Sequence, residues 1–138
     1  MSDRTLLMVK PDATERNLAG EILRRVTEAG FRLVAVRSLR LRREEAEAFY
    51  AVHRGKPFYE GLVQYIVSGD VMPAVLEKEN AVAALREFIG PTDPSAAEDG
   101  TIRADFGLDV RRNAVHASDA PETAAREIGF FFAARELV

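Results

Sequence analysis

The chain contains no cysteine among its 138 residues. That absence excludes disulfide bonds, thiolate metal sites and cysteine nucleophiles, and it is compatible with a reducing cytoplasm. Histidine is also scarce, since only His53 and His116 are present. They are too far apart in the sequence to form the closely spaced histidine pair of a typical metal site.

The standard glycine-rich nucleotide loops are missing as well. The sequence has neither G-x-x-x-x-G-K-[ST] nor G-x-G-x-x-G, so a glycine loop that holds phosphates is not indicated. The net charge is −3, which argues against a general attraction for polyanions such as nucleic acids. A phosphate site in this chain would therefore be built from side chains, as a local cluster of cations.

No long apolar stretch is present. The run that ends at Lys10 is too short to span a membrane, and it lacks the basic start and the cleavage site of a signal peptide. We therefore expect a cytoplasmic protein with no membrane partner. The 138 residues, of which 47% are hydrophobic and 30% charged, are ordinary for a globular protein, and we expect a single domain over residues 1–138.

Apolar periodicity and turn signals predict strands that alternate with helices. Pro73 cannot donate to a sheet ladder, so its strand is expected near a sheet edge or with a slight bulge. Residues 91–100 have no periodicity, and so long a loop is usually functional or disordered. Helices between strands favour an α/β sandwich. The predicted strands are 5–10, 31–41, 71–76 and 113–117, and the predicted helices are 22–29, 44–52, 56–66, 81–89 and 121–132.

His116 is the strongest candidate for a catalytic side chain. Small residues flank it, and Asn113, Ser118 and Asp119 crowd the same short strand. Glu127 shares a face of the next helix with apolar residues, where a carboxylate is costly without a partner. Pairing with His116 would fix the imidazole tautomer and leave the other ring nitrogen free for attack. The alternatives are a histidine without a catalytic role and a Glu127 that points to solvent.

Three cations could hold phosphates, and one apolar pair could hold a base. A transferring phosphoryl group needs cations at fixed positions. The candidates are Lys10 at the end of the first predicted strand, Arg86 on the helix before the long loop, and Arg103 after that loop. Each is also one of 19 lysines and arginines, so only their convergence would make a site. Phe58 and Leu62, one helical turn apart, are interpreted either as core packing or as a slot for a nucleobase.

The sequence resembles the nucleoside diphosphate kinase family in motifs that span nearly the whole chain. The segment N-A-V-H-A-S-D at 113–119 is similar to the family signature N-x-x-H-[GA]-S-D. Further similar segments follow the family's order and spacing: V-K-P-D at 9–12, K-P-F-Y at 56–59, G-P-T-D-P at 90–94, G-T-I-R-A-D-F at 100–106 and E-L-V at 136–138. Departures fall at Ala13, Asp70, Ala117 and Ala120. Ala117 replaces a common glycine, and alanine resists a positive φ.

The resemblance implies a fold and a reaction. The fold would be ferredoxin-like (α+β), a four-stranded antiparallel sheet covered by helices, in a homo-oligomer that is a tetramer or a hexamer. The reaction would be a ping-pong transfer of the γ-phosphate from nucleoside triphosphates to nucleoside diphosphates. It would have broad base specificity, would maintain (deoxy)nucleoside triphosphate pools and would proceed through a phosphohistidine on Nδ1 of His116.

The resemblance also assigns roles to the other site residues. Glu127 would orient the imidazole, and Ser118 would hydrogen-bond that carboxylate. Mg²⁺ would arrive on the nucleotide phosphates, and Asp119 would touch it only through water. The nucleotide itself would be bound by Lys10, Tyr50, Phe58, Leu62, Arg86, Thr92, Arg103 and Asn113.

Two other functions compete with phosphate transfer. A non-catalytic relative would bind nucleotides without exchange, although such a protein is expected to have lost at least one site residue. A sheet-based RNA-binding module is disfavoured by the acidic net charge and by the lack of an aromatic-rich RNP1-like strand. No nucleic-acid partner is therefore expected.

Overall fold

The computed structural model describes residues 2–138 and contains a four-stranded antiparallel sheet in the order β2-β3-β1-β4. The expected ferredoxin-like arrangement of sheet and helices is confirmed. The strands are β1 (Ser2–Val9), β2 (Arg32–Val36), β3 (Met72–Glu79) and β4 (Val115–Ala117). The helices are α1 (Pro11–Thr14), α2 (Ala19–Glu28), α3 (Arg43–Phe49), α4 (Tyr59–Ile66), α5 (Ala81–Ile89), α6 (Ile102–Phe106) and α7 (Pro121–Phe131), with 3₁₀ turns at Ala51–His53, Pro94–Ala96 and Ala134–Glu136.

Helices cover both faces of the sheet, and β1 is buried between them. Leu6 and Met8 pack into one core with side chains of α3, α4 and α7, whereas Leu7 and Val9 pack into a second core with α2 and α5. All four side chains are fully buried, which explains why β1 appears in the sequence as a continuous apolar run. Burial of each such side chain contributes roughly 2 kcal/mol. Among the helices of residues 2–138, none has both the length and the apolarity that a membrane span needs.

The expectation that Pro73 marks an edge strand is wrong, because β3 lies between β2 and β1. Pro73 is the second residue of β3, opposite Met8, and its carbonyl accepts the N–H of Arg37 at 3.1 Å. A proline near the start of a strand removes one donor and leaves the rest of the ladder intact. The register shift falls instead in β2, between Leu33 and Ala35.

Several predicted elements are longer than the observed ones. The strand predicted at 31–41 ends at Val36, and only an isolated bridge from Leu39 to Val71 continues its pairing. Leu39 and Leu41 pack into or against the core all the same, which is why the apolar alternation extends past the end of the strand. Alternation in a sequence reports which side chains are buried, not where ladder hydrogen bonds stop.

The backbone before β4 is held in an unusual conformation at Ala114, whose φ is 75°. The N–H of Ala114 donates to Asp12 Oδ2 at 3.0 Å, and its carbonyl accepts the N–H of Lys10 at 2.9 Å. Ala117, where the sequence raised the question of a positive φ, lies in β4 opposite Leu7. The strained alanine is therefore Ala114, which is held by its hydrogen bond to Asp12 and by the one it accepts from Lys10.

This difference predicts opposite effects of two glycine substitutions. Ala114→Gly should raise the free energy of unfolding by about 0.5–1 kcal/mol, because glycine removes the steric cost of a positive φ. Ala117→Gly should lower it by about the same amount, because glycine in a strand loses more conformational entropy. Urea denaturation with an unchanged m-value measures both. Equal destabilisation by the two substitutions would contradict the strain at Ala114.

Candidate active site

A cleft of about 1240 Å³ lies beside β4 and brings the predicted site residues together. Only Ser118 is not on its wall, because Ser118 is fully buried behind Glu127. The predicted residues that line the cleft come from segments spread along the whole chain: Lys10, Tyr50, Phe58, Leu62, Arg86, Thr92, Arg103, Asn113, His116, Asp119 and Glu127.

His116 is held by a carboxylate through one ring nitrogen. It lies at the centre of β4, opposite Met8, and its Nε2 is 2.9 Å from Oε1 of Glu127 on α7. The hydroxyl of Ser118 donates to the same oxygen at 2.7 Å. The Glu127 side chain is 4% exposed and that of His116 is 25% exposed, so the imidazole reaches the cleft while its partner is buried.

The charge of Glu127 decides the tautomer of His116. Burial alone would raise the pKa of Glu127, but the hydrogen bonds from His116 and Ser118 and the nearby charge of Arg126 hold it below its ordinary value. An ionised carboxylate can only accept hydrogen bonds, so Nε2 must carry the proton. In the neutral imidazole, Nδ1 then keeps a free lone pair.

Aromatic side chains support the imidazole from the core side. The ring of Phe49, at the end of α3, lies 5.4 Å from the His116 ring at an interplanar angle of 71°. Phe49 is buried, and this edge contact restricts the plane of the imidazole. The pKa of the Tyr50 hydroxyl is raised by burial and by the charge of Glu127, so this phenol stays protonated as a donor.

Two arginines converge on the strand that carries His116. Arg103 of α6 donates from Nη2 to the carbonyl of Val115 at 2.8 Å and from Nη1 to the carbonyl of Gly90 at 3.0 Å. Arg86 of α5 donates from Nη1 to the carbonyl of Ala117 at 3.2 Å. Burial and the neighbouring charge of Arg86 lower the pKa of Arg103 to about 10. Two like charges held together in this way favour an anion between them.

Lys10 is fixed next to this arginine pair. Its Nζ donates to the carbonyl of Arg111 at 2.7 Å and to Oδ1 of Asn113 at 2.8 Å, which leaves one of three N–H donors for a ligand. Asn113 in turn donates to the carbonyl of Thr92 at 2.9 Å and so ties the loop after α5 to the site. Burial is the main cause that lowers the pKa of Lys10 to about 8.

Apolar side chains line another part of the cleft and form an apolar slot there. Phe58 is 45% exposed and Val110 is 58% exposed, and both line the cleft. Leu62 lines it too and packs partly against the core. Of the two interpretations of Phe58, core packing is therefore wrong, and an exposed surface for a flat ligand remains.

The family model described as nucleoside diphosphate kinase matches residues 3–137 of the chain. The chain belongs to the nucleoside diphosphate kinase family. A relative from Acidiphilium cryptum, also described as a nucleoside diphosphate kinase, is 53% identical over 99% of this chain and 98% of its own length. One from Desulfatibacillum aliphaticivorans is 52% identical over 98% of both.

Solved structures of the nucleoside diphosphate kinase family share the whole fold. The Aquifex aeolicus enzyme superimposes with a TM-score of 0.98 at 47% identity and covers 100% of both chains. The Halobacterium salinarum enzyme, solved in complex with CDP, gives a TM-score of 0.95 at 41% identity and covers 100% of this chain and 92% of its own.

The carboxylates of this nucleoside diphosphate kinase cleft do not form a closed metal site. Within residues 2–138, no group of three or more histidine, cysteine, aspartate or glutamate side chains could hold a metal ion. Glu127 already forms hydrogen bonds with His116 and Ser118. Oδ2 of Asp109 forms an ion pair with Nη2 of Arg112 at 2.7 Å. Asp119 stays at the cleft wall. This donor set fits Mg²⁺ that is held mainly by phosphate oxygens.

Sequence reasoning missed several residues of the cleft. Phe49 lies in the predicted helix 44–52, where its spacing indicates only core packing, and Val110 and Arg111 lie in a segment without periodicity. Arg126, whose Nη2 lies 3.8 Å from Oε2 of Glu127, looks in the sequence like any exposed helical arginine. Its position directly before Glu127 was the one available signal.

Proposed function

We propose that this chain transfers the terminal phosphate of a nucleoside triphosphate to a nucleoside diphosphate through a phosphohistidine on Nδ1 of His116. The observation that carries the proposal is the bond between Nε2 and the buried carboxylate of Glu127, which leaves Nδ1 as the free nucleophile. Arg86 and Arg103 converge on the same strand, where they can hold phosphate oxygens. The similarity to a family member solved with CDP supports a nucleoside diphosphate as the acceptor.

The first half of the reaction forms the phosphohistidine. The Nδ1 lone pair of His116 attacks the γ-phosphorus, a nitrogen–phosphorus bond forms, and the bond to the bridging oxygen breaks. The diphosphate leaves with that electron pair. The proton on Nε2 stays in its bond to Glu127, which stabilises the positive charge that develops on the ring. The second half reverses these steps on a different diphosphate.

Charge on the phosphoryl group is stabilised by donors that are already in place. The guanidiniums of Arg86 and Arg103 suit phosphate oxygens because each presents a planar fork of N–H groups. In this proposal Thr92 adds a hydroxyl to the phosphates, Lys10 contacts phosphate and sugar, and Asn113 contacts the sugar hydroxyl. Mg²⁺ bound to the nucleotide would neutralise further phosphate charge, with Asp119 as its water-mediated contact.

The base is held by its faces in this proposal. Phe58 and Val110 offer exposed apolar surfaces with Leu62 beside them, and flat apolar contact does not select a base. We infer broad base use, which suits an enzyme that maintains nucleoside triphosphate pools. The family resemblance further suggests one kinase domain over residues 1–138, a cytoplasmic location and a tetramer or hexamer, which sedimentation equilibrium would distinguish.

A phosphate-exchange assay from one triphosphate to several diphosphates tests this function. Exchange to every diphosphate, with the labelled phosphate recovered in a triphosphate of each base, is the expected result. Nucleotide binding without exchange would favour the non-catalytic relative instead. Binding of RNA in a salt-sensitive gel shift, without nucleotide exchange, would favour the RNA-binding alternative.

Nucleotide affinity should fall at alkaline pH because of Lys10. Its pKa of about 8 in the free protein would be raised by a bound polyphosphate, so binding takes up a proton above that pH. The dissociation constant for a diphosphate should therefore rise as the pH passes through about 8. Calorimetry between pH 7 and pH 9.5 measures this, with Lys10→Gln as the variant that should lose the dependence. A flat profile in the unmodified protein would contradict it.

A further inference from the structure

A glycine and an arginine meet on the wall of the apolar slot. Phe58, Gly61 and Leu62 share one face of the chain at α4 by their i, i+3 and i+4 spacing, and Gly61 leaves a gap between the other two. The guanidinium of Arg111 fills that gap. Its Nη2, Cζ and Nη1 lie 2.6, 2.9 and 2.9 Å from the point where a Cβ of residue 61 would stand. Any side chain at position 61 would displace the guanidinium.

The main chain of Arg111 is held at this place. Its carbonyl accepts the N–H of Lys10 Nζ at 2.7 Å, and its N–H donates to Oδ1 of Asp109 at 3.1 Å. Val110, the residue before it, supplies one apolar surface of the slot. The guanidinium therefore lies against α4 at Gly61 and lines the cleft, on a backbone that is tied to Lys10.

The next residue is also an arginine, but its guanidinium is used differently. Arg112 donates from Nε and Nη2 to Oδ2 of Asp109 at 2.9 and 2.7 Å. Within residues 2–138, no carboxylate or carbonyl oxygen accepts a hydrogen bond from the guanidinium of Arg111. The guanidinium packs against Gly61 instead. Its N–H donors are available to a ligand in the cleft.

We propose that Arg111 is a specificity-determining residue that hydrogen-bonds the oxo edge of the base and favours guanine over adenine nucleotides. A guanidinium only donates. Guanine presents the adjacent acceptors O6 and N7, whereas adenine presents an amino donor beside N7. The inference rests on the nucleotide site of the proposed function and adds a preference to a slot that still accepts every base.

Binding of GDP and ADP to four proteins tests the proposal: the unmodified chain, Arg111→Met, Arg111→Lys and Arg112→Met. The methionine keeps an apolar stem against Gly61, and the lysine keeps the charge without the planar fork. The unmodified chain should bind GDP about fivefold more tightly than ADP, since the contact is partly solvated. Both Arg111 variants should lose most of this ratio, and Arg112→Met should keep it.

Three outcomes would overturn the role of Arg111. The first is a GDP-to-ADP affinity ratio near one in the unmodified chain, and the second is an equal loss of affinity for both nucleotides in Arg111→Met. The third is an unchanged ratio in Arg111→Lys, which would mean that a positive charge alone gives the preference. Thermal unfolding of each variant confirms that the fold is kept. Exchange activity is measured on the same samples. A guanine preference in a chain without exchange would refute the proposed function and leave the role of Arg111 intact.

Discussion

Replacement of His116 by alanine is expected to remove phosphate exchange, by roughly 10⁴-fold or more in kcat, and to remove covalent labelling altogether. The reason is that the cations of the cleft position a phosphoryl group but cannot accept it. His116 lies on β4 within reach of the cleft, and its side chain is part-exposed, so the variant should fold. Incubation with a γ-labelled triphosphate, followed by acid and base treatment, measures the label.

The label on the unmodified protein should be lost in acid and kept in base, as expected of a phosphohistidine. His53→Ala is the matched control, because His53 also lines the cleft and lies at ring contact with Phe58. That variant should still take up label. Two results would show that the nucleophile is a side chain other than His116. They are base-stable label on His116→Ala and loss of label in His53→Ala alone.

Glu127→Gln is expected to lower kcat by about 10²- to 10³-fold with little change in diphosphate affinity. An amide can donate to Nε2, which would place the ring proton on Nδ1 and block the attack. It also removes the negative charge that stabilises the developing imidazolium. Pre-steady-state formation of the phosphoenzyme, together with the dissociation constant for a diphosphate, separates this effect from a loss of binding.

Ser118→Ala provides the comparison for Glu127→Gln. It removes one hydrogen bond to Oε1 of Glu127 but keeps the carboxylate and the His116 contact, so a loss of only about tenfold in kcat is expected. If Ser118→Ala lowers kcat as much as Glu127→Gln does, the orientation of the Glu127 carboxylate matters for catalysis and its charge does not. A Glu127→Gln protein with full activity would contradict the role of the carboxylate.

The sequence predicted most of the secondary structure because burial leaves a local periodicity. The run at 5–10 and the helix at 81–89 correspond to β1 and α5. The sequence did not predict the central position of β3, because strand order depends on contacts between distant segments. Pro73 indicates correctly that one ladder donor is missing. The position of its strand in the sheet depends on pairing with β1 and β2, which Pro73 does not indicate.

The site was predicted in part from spacing and in part from family resemblance. Spacing alone paired His116 with Glu127, because one strand-to-helix turn separates them. Convergence of Arg86 and Arg103 could not follow from spacing, since they lie on α5 and α6 and meet only at β4. Positions such as Arg111, which acts through a gap left by a glycine, depend on three-dimensional contact and leave no periodic trace.

The position of the phosphate on the imidazole tests the account most directly. Phosphorus NMR of the phosphorylated protein, denatured in base, distinguishes a phosphate on Nδ1 from one on Nε2. The bond between Nε2 and Glu127 predicts phosphate on Nδ1 of His116. Phosphate on Nε2, or on a residue other than His116, would contradict the tautomer on which the proposed mechanism depends.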